Sequence, residues 1–414
     1  MPQLTQTADL RSVHAETVLL GWSDEAMDGV RQTDRDFIAV VPPEFGAYME
    51  EHGIPYESWD FSRLDENAPK LAERLQARGA RFAVPLYEET VEWAGAVNAR
   101  LQDNPRLFNR SLLFRDKAMM KRMAQIAGLR VGVFEEVSSR DEVLRFFKRV
   151  NEALLKLDEE TADPVHLKPK DAAGTVGHRV IRSVEDVMKI PDEAFPLLAE
   201  SHLAGQEFSC EAFVHDGKIR FLNITQYVHL GHSDFVPADP QLEEHRPKIE
   251  AAINRLIEAF RFDHGVLHPE FFLGTDGELR FGEVGSRVPG GHIFTSIKDA
   301  YGFDAFVGYV LCADPQTPEA DLDAFFPRPE DRTGYSGVLM IHPRAGTTIS
   351  QLTLPDEVLD DPYFVRHTLV DPIPGKVAAV EGYGAHYGTL FFKGDDAARM
   401  KQILQEYEAL DYYV

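Results

Sequence analysis

The chain has 414 residues, enough for two or three domains that each bury a core of their own. Its 44% hydrophobic and 27% charged residues are those of an ordinary soluble protein. A formal net charge of −25 argues against nucleic acid or an anionic membrane as the main partner, so any phosphate ligand has to be held by local lysines and arginines. Cys210 and Cys312 are the only cysteines and lie far apart, which argues against a disulfide framework or a zinc site and fits a reducing cytosol. The opening MPQLTQTADLRSVHAE lacks the basic and apolar regions of a signal peptide, and no run approaches the ~18 apolar residues of a membrane span. A cytoplasmic protein is expected.

Residues 17–41 read as strand, polar turn and strand (TVLLGW, then DFIAVVPP), and helical periodicity follows around 45–52. RFAVPLY (81–87) is a further buried strand leading into the amphipathic helix EETVEWAGAVNARL (88–101). This alternation predicts a small α/β domain with a parallel sheet over 1–112. Glu88 and Glu89 stand where such sheets present loops to ligands, but acidic residues in a first helical turn are read as complements of the helix dipole.

In FRDKAMMKRMAQIAGLR, Asp116 is the predicted N-cap, Met119, Met123 and Ile126 the apolar face, and Gly128 the stop. Lys117 in the first turn opposes the helix dipole, which suits either an anionic ligand or a solvated lysine. Ser139 and Glu142 form a capping box for a helix through Val150. In VHLKPKDAAGTVGHRVIRS (165–183), a strand carrying Lys168 enters a small-residue loop, Ala172 to Gly177, and returns as a strand. The loop's glycines and alanines, Gly174 and Gly177 among them, let backbone N–H groups approach phosphate oxygens while Lys168 neutralises charge; a hairpin without a ligand is the alternative. The loop is not a Walker A motif, since GxxxxGK[ST] is absent and strand follows in place of helix.

PLLAESHLAGQEFSCEAFVHDGKIRFLNITQY (196–227) begins with a strand ending at Glu200 and continues as strands joined at Asp216-Gly217. Its linker suits a nucleotide, with backbone near Leu203 for the base, Glu200 for an exocyclic amine and Glu207 for ribose hydroxyls; ordinary loop carboxylates are the alternative. A helix follows, with Ile249, Ile253, Leu256, Ile257 and Phe260 as a core stripe.

HPEFFLGTDGELRFGEVGSRVPGGH (268–292) is the chemical centre. Asp276-Gly277 signals a two-residue hairpin turn, which pairs residues whose numbers sum to 553: Phe272 with Phe281, and Glu270 with Glu283. Opposed side chains have Cβ atoms roughly 4.5–5.5 Å apart, where like charges destabilise. Either a hard divalent cation shared with phosphates lies between the two carboxylates, or the pair is wet, or a longer loop shifts the register. Arg287 follows four residues after Glu283, with Gly290 and Gly291 behind it, a set suited to developing negative charge. Residues 298–313 read as helical, and the remainder as strands SGVLMIHP, VAAVEGY and GTLFFKG with a final helix, AARMKQILQEYEAL.

The ordered set of the RDK helix, lysine strand with small-residue loop, ExxLxGxE linker and two-glutamate hairpin resembles the ATP-grasp superfamily, and within it the carboxylate–amine (L-amino acid) ligase branch. The resemblance covers nearly the whole chain. It implies an α/β and α+β multidomain fold: a pre-ATP-grasp α/β domain (1–112), a small subdomain (113–198), a large subdomain (199–313) and a C-terminal α+β cap (314–414). It implies ATP with Mg²⁺ or Mn²⁺, and a carboxylate joined to an amine through an acyl-phosphate, giving ADP and phosphate. Lys117 and Lys168 then match the phosphate-contacting lysines, and Ala172 to Gly177, with Gly174 and Thr175, the phosphate loop. Glu200, Leu203 and Glu207 match the adenine and ribose positions, Glu270 and Glu283 the metal ligands, and Arg287 with Gly290 the acyl-phosphate contacts. Lys168 is counted with the catalytic set.

Two departures stand out. Many ATP-grasp enzymes have Glu-x-Asn at the second metal strand, whereas this chain has Glu283-Val284-Gly285, so a third protein ligand is missing or replaced by water. Where the branch often carries an acidic residue for the donor's amino group, this chain offers Tyr227, His229 and His232, with Asp234 nearby. That allows a donor with a blocked amine or an additional carboxylate, with His229, His232, Arg287 and Gly291 as substrate contacts. The implied partners are small-molecule carboxylates and amines, without nucleic acid or membrane, and a homodimer is common among similar ligases. A carboxyphosphate-using biotin-carboxylase-like or purine-pathway ligase, and a non-catalytic ATP-binding protein, are the alternatives.

Overall fold

The computed structural model describes residues 14–154, 162–170, 176–342, 346, 348–351, 353–369, 375–376 and 386–412. Near the N-terminus, the strands Tyr56–Ser58, Phe37–Val41, Thr17–Leu20 and Phe82–Pro85 form an all-parallel sheet in that order. Parallel neighbours need a crossover, and the first is the helix Asp24–Arg31, where the sequence reading placed only a turn. Ser23 caps it by accepting from Ala26 N at 3.1 Å, Asp24 and Glu25 fill the first turn, and Arg31 the last.

Both faces of this sheet are covered. Val18, Leu20, Ile38 and Val40 pack with Leu71, Leu75 and Val97, while Leu19, Ala39, Val41 and Val84 join a core with Phe294, Ile297, Phe303 and Tyr309. The latter four lie on or between the helices Ile293–Tyr301 and Ala305–Ala313, two elements where one was read at 298–313. Gly302, at φ +79°, ends the first and Asp304 caps the second. The N-terminal sheet is thereby fixed beside residues 286–292.

A second four-stranded sheet, antiparallel, runs in the order Phe134–Val137, Leu197–Ser201, Val165–Lys168 and Arg179–Ile181. The helix Arg140–Ala153 buries Val143, Phe146, Phe147 and Val150 in its core.

The largest sheet has nine strands: Phe364–Leu369, Gly388–Gly394, Tyr335–Ile341, Ser233–Val236, Lys218–His229, Gln206–His215, His264–Leu273, Leu279–Gly285 and Arg130–Val131. Three C-terminal strands therefore extend the same sheet that carries the two-glutamate hairpin. Side chains alternate across it. Phe208, Cys210, Ala212 and Val214 enter the core under the helix Arg246–Phe260, whose Ile249, Ile253, Leu256, Ile257 and Phe260 are buried as expected. Glu207, Ser209 and Glu211 fall on the opposite face. VAAVEGY lies outside the described residues, and among those described no helix is long and apolar enough to cross a membrane.

Candidate active site

The hairpin places Glu270 opposite Glu283, as expected, although its turn is not the two-residue one. Gly274 N donates to Glu278 O at 3.0 Å, and Gly277 sits at φ +70°, a three-residue loop with glycine in the left-handed position. Near the turn the paired numbers sum to 552, so Phe281 faces Phe271 and Phe272 faces Arg280. Gly282 then stands unopposed as a bulge, and the 553 register returns at Glu270 and Glu283. The bulged carbonyl of Gly282 accepts from Lys121 Nζ at 2.7 Å.

Lys121 lies one turn after Lys117 on the helix Lys117–Ile126, capped by Asp116, which accepts from Ala118 N and Met119 N. The buried face is Ala118, Met120, Lys121 and Ala124; Met119 and Ile126, read as apolar face, are exposed. The helix is rotated so that both lysines approach the hairpin. Lys117 Nζ is 3.7 Å from Glu283 Oε2, and Lys121 Nζ is 2.5 Å from Glu200 Oε1. Lys168 Nζ, at the end of its strand, is 3.6 Å from Glu200 Oε2. Glu200, expected to meet an exocyclic amine, therefore sits buried between two ammonium groups.

These charges set the protonation states. Burial opposes ionisation of Glu283, yet Lys117, Lys168, Lys121 and Arg287 outweigh it and hold the carboxyl down at about 2. Burial likewise opposes a charged Lys168, but Glu200, Glu283, Glu270 and Glu207 raise it. Burial, then Glu270, pushes Glu207 up to about 8. Glu207 enters its strand after Gly205 at φ +135°, where a Cβ would meet Leu273 O at 2.4 Å; Leu203 is buried just before.

Behind Glu270 lies a network that the sequence reading missed. Glu211, fully buried, accepts from Ser209 Oγ (3.0 Å), Asn223 Nδ2 (2.6 Å) and Thr225 Oγ1 (2.7 Å), and meets His268 Nδ1 at 3.0 Å. His268 Nε2 is 3.5 Å from Glu270 Oε1. Burial disfavours the imidazolium, but hydrogen bonds to Glu211 and Glu270 raise His268 to about 9. Such an outer partner fixes the orientation of a ligating carboxylate. The signal was the period-two run Glu207, Ser209, Glu211 beside His268-x-Glu270 on the neighbouring strand.

Arg287 Nε donates to Glu88 Oε2 at 2.8 Å, and Glu88 Oε1 accepts from Arg115 Nη1 at 2.9 Å. Glu88 is thus an ionic bridge from the N-terminal sheet to Arg287, beyond the dipole complement read from sequence. Gly290 faces open space. Gly291, at φ +65°, lies against Asp234: a Cβ there would be 2.9 Å from Asp234 Oδ2. Asp234 is 4% exposed, its Oδ1 lacks a hydrogen-bond partner, and burial, then Glu211, raises its pKa well above the usual range.

His229 and His232, expected near substrate, both meet Glu408 of the last helix. Gly177 lies beside Pro169, whereas Gly174 and Thr175 fall outside the described residues. The site fits a metal-bound triphosphate. Two opposed carboxylates supply hard oxygen donors, and Lys117, Lys121, Lys168 and Arg287 surround them with positive charge.

The ATP-grasp domain family matches residues 189–296, which include Glu200, Glu207, Glu270, Glu283 and Arg287 but neither Lys117 nor Lys168. The L-arginine-specific L-amino acid ligase of Bacillus subtilis is 24% identical over 209 residues, 47% of this chain and 48% of that protein. The match thus spans about half the length of that relative. The crystal structure of an L-amino acid ligase from Bacillus licheniformis superimposes with a TM-score of 0.73 at 15% identity, covering 95% of this chain and 96% of that one. Phosphoribosylglycinamide synthetase from Anaerococcus prevotii gives 0.66 at 14% identity, covering 94% and 97%. At such identities these structures speak to the fold. Residues 189–296 match the ATP-grasp domain family, and the chain as a whole is similar in fold to an L-amino acid ligase, with sequence similarity to another over about half its length.

Proposed function

We propose that the chain is an ATP-dependent ligase that joins a carboxylate to an amine, with amino-acid-derived substrates, through an acyl-phosphate. The observation that carries this reading is the opposed pair Glu270 and Glu283 ringed by Lys117, Lys121, Lys168 and Arg287. Glu270 and Glu283 would hold Mg²⁺, which would supply positive charge to offset the negative charge developing in phosphoryl transfer. Lys117 and Lys168 neutralise the phosphates, assisted by the loop with Gly174, Thr175 and Gly177. Glu200 steadies Lys121 and Lys168, leaving the base to backbone near Leu203 and the ribose to Glu207.

In the first step a substrate carboxylate oxygen attacks the γ-phosphorus as its bond to the ADP oxygen breaks. The amine nitrogen of the second substrate then attacks the acyl carbon; the carbon–oxygen bond to phosphate breaks, phosphate leaves and the nitrogen loses a proton. Arg287, held by Glu88, and the N–H groups at Gly290 stabilise the negative charge of both steps. Asp234 beside Gly291 supports a substrate that carries an ammonium group, since a buried carboxylate with an unpaired oxygen is stabilised by a cation.

A phosphate-release screen crossing amino acids as donors and acceptors, with bicarbonate as a separate arm, tests the reaction. Release with a carboxylate and amine pair is expected, and Glu283→Ala removes it while ATP binding persists. Release driven by bicarbonate alone, or undiminished Mg²⁺-dependent turnover in Glu283→Ala, overturns the assignment.

A further inference from the structure

On the strand Lys218–His229 and the turn after it, His229 and His232 flank Leu230-Gly231, and their rings stack with centroids 4.1 Å apart. Both Nδ1 atoms face one oxygen, Oε1 of Glu408, with His232 Nδ1 at 3.7 Å and His229 closer. The other oxygen is engaged: Ser233 Oγ donates to Glu408 Oε2 at 3.2 Å, which turns Oε1 toward the imidazoles. His342 packs against His232 with ring centroids 4.4 Å apart and planes tilted by 45°, and it bonds Gly231 O through Nε2 at 3.0 Å, bracing ring and turn.

Glu408 ends the helix Ala397–Glu408, where the dipole is negative and a carboxylate is disfavoured without a cation. Among the described residues no lysine or arginine pairs with it; its ion-pair partners are the two imidazoles. The three donor atoms lie within 4.8 Å of one another. Ligands about 2.0–2.1 Å from a tetrahedral ion are themselves roughly 3.3 Å apart, so small side-chain movements close the set.

We propose that His229, His232 and Glu408 bind a divalent transition metal of the Zn²⁺ class, which fastens the last helix to the sheet that carries the active site. Two imidazoles and one carboxylate suit Zn²⁺ or Co²⁺ better than Mg²⁺, which prefers oxygen alone. Ser233 and His342 act as the outer partners that orient such ligands. The site is separate from the Glu270–Glu283 pair and independent of the reaction proposed above.

The test titrates the metal-free full-length protein with Co²⁺ and with Zn²⁺ in excess Mg²⁺. One equivalent of Co²⁺ should give the visible absorption of a four- or five-coordinate ion, and Zn²⁺ should displace it and raise the melting temperature. His229→Ala alters an exposed side chain, and Glu408→Gln keeps the bond from Ser233. Each should weaken binding beyond the ~10–100-fold that loss of an outer partner costs, with unchanged circular dichroism showing a folded chain. Glu283→Ala and His264→Ala should retain the absorption, the latter probing the separate His215, Asp216 and His264 group. No absorption in the wild type, its survival in both His229→Ala and Glu408→Gln, or its loss in Glu283→Ala or His264→Ala overturns the proposal.

Discussion

Glu211 and Asp234 occupy the same side of one sheet, and both are buried, yet they are built differently. Glu211 is surrounded by Ser209, Asn223, Thr225 and His268, so its charge is matched within the protein. Asp234 keeps its Oδ1 without a hydrogen-bond partner and sets its Oδ2 against Gly291. A buried charge that is paired and hydrogen-bonded serves the fold; one left unpaired is costly and is understandable where a ligand completes it. On the proposed reading, the difference separates scaffold from binding site within a few strands.

Substitution should separate them further. Glu211→Ala strands an imidazolium, an amide and two hydroxyls in the interior, and breaking a buried pair in this way costs about 3–5 kcal/mol. Denaturant unfolding should show that loss, and a change below about 1 kcal/mol would erase the contrast. Asp234→Asn should leave stability unchanged or raised, because it removes a buried carboxyl whose ionisation burial opposes. Its effect should appear in the phosphate-release assay as a KM for the ammonium-bearing substrate raised ~30-fold or more, from the ~2–5 kcal/mol attached to a buried charge pair. A destabilised Asp234→Asn with unchanged KM would make both residues scaffold.

Much of this site was legible in the sequence because alternation is local. Glu270 and Glu283 could be placed opposite each other from strand period and turn position alone. The turn was read one residue too short, and Gly282, as a bulge, restored the register, so two departures cancelled at the residues that matter. The helix Asp24–Arg31 was also locally signalled, by Ser23 and the acidic first turn, but its polar surface hid it. Lys121 was not legible: a lysine in a short amphipathic helix looks solvated until its neighbours are known. The sheet's C-terminal strands, Glu88 against Arg287, and Asp234 against Gly291 all depend on pairings far apart in the chain, which no local pattern encodes.

Histidines repeat the contrast on a smaller scale. His268 lies between carboxylates and is held protonated, whereas His166 lies between His178 (3.0 Å) and His202 (3.2 Å), with Lys168 near. Burial, followed by His178, Lys168 and His202, drives His166 down to about 3. In the unfolded chain it titrates near its ordinary value of about 6.5. Below that pH the unfolded chain takes up a proton that the folded one refuses, so stability present above pH ~6.5 drains as pH falls toward 3. His166→Gln should therefore match the wild type at pH 8 in relative pH response and show a shallower loss between pH ~6.5 and 4. His386, lowered to about 4 chiefly by burial, leaves part of the slope in place. Unfolding midpoints measured across that window decide it: parallel slopes in the two proteins would mean that His166 takes up its proton in the fold, and that its surroundings do not oppose charge as those of His268 favour it.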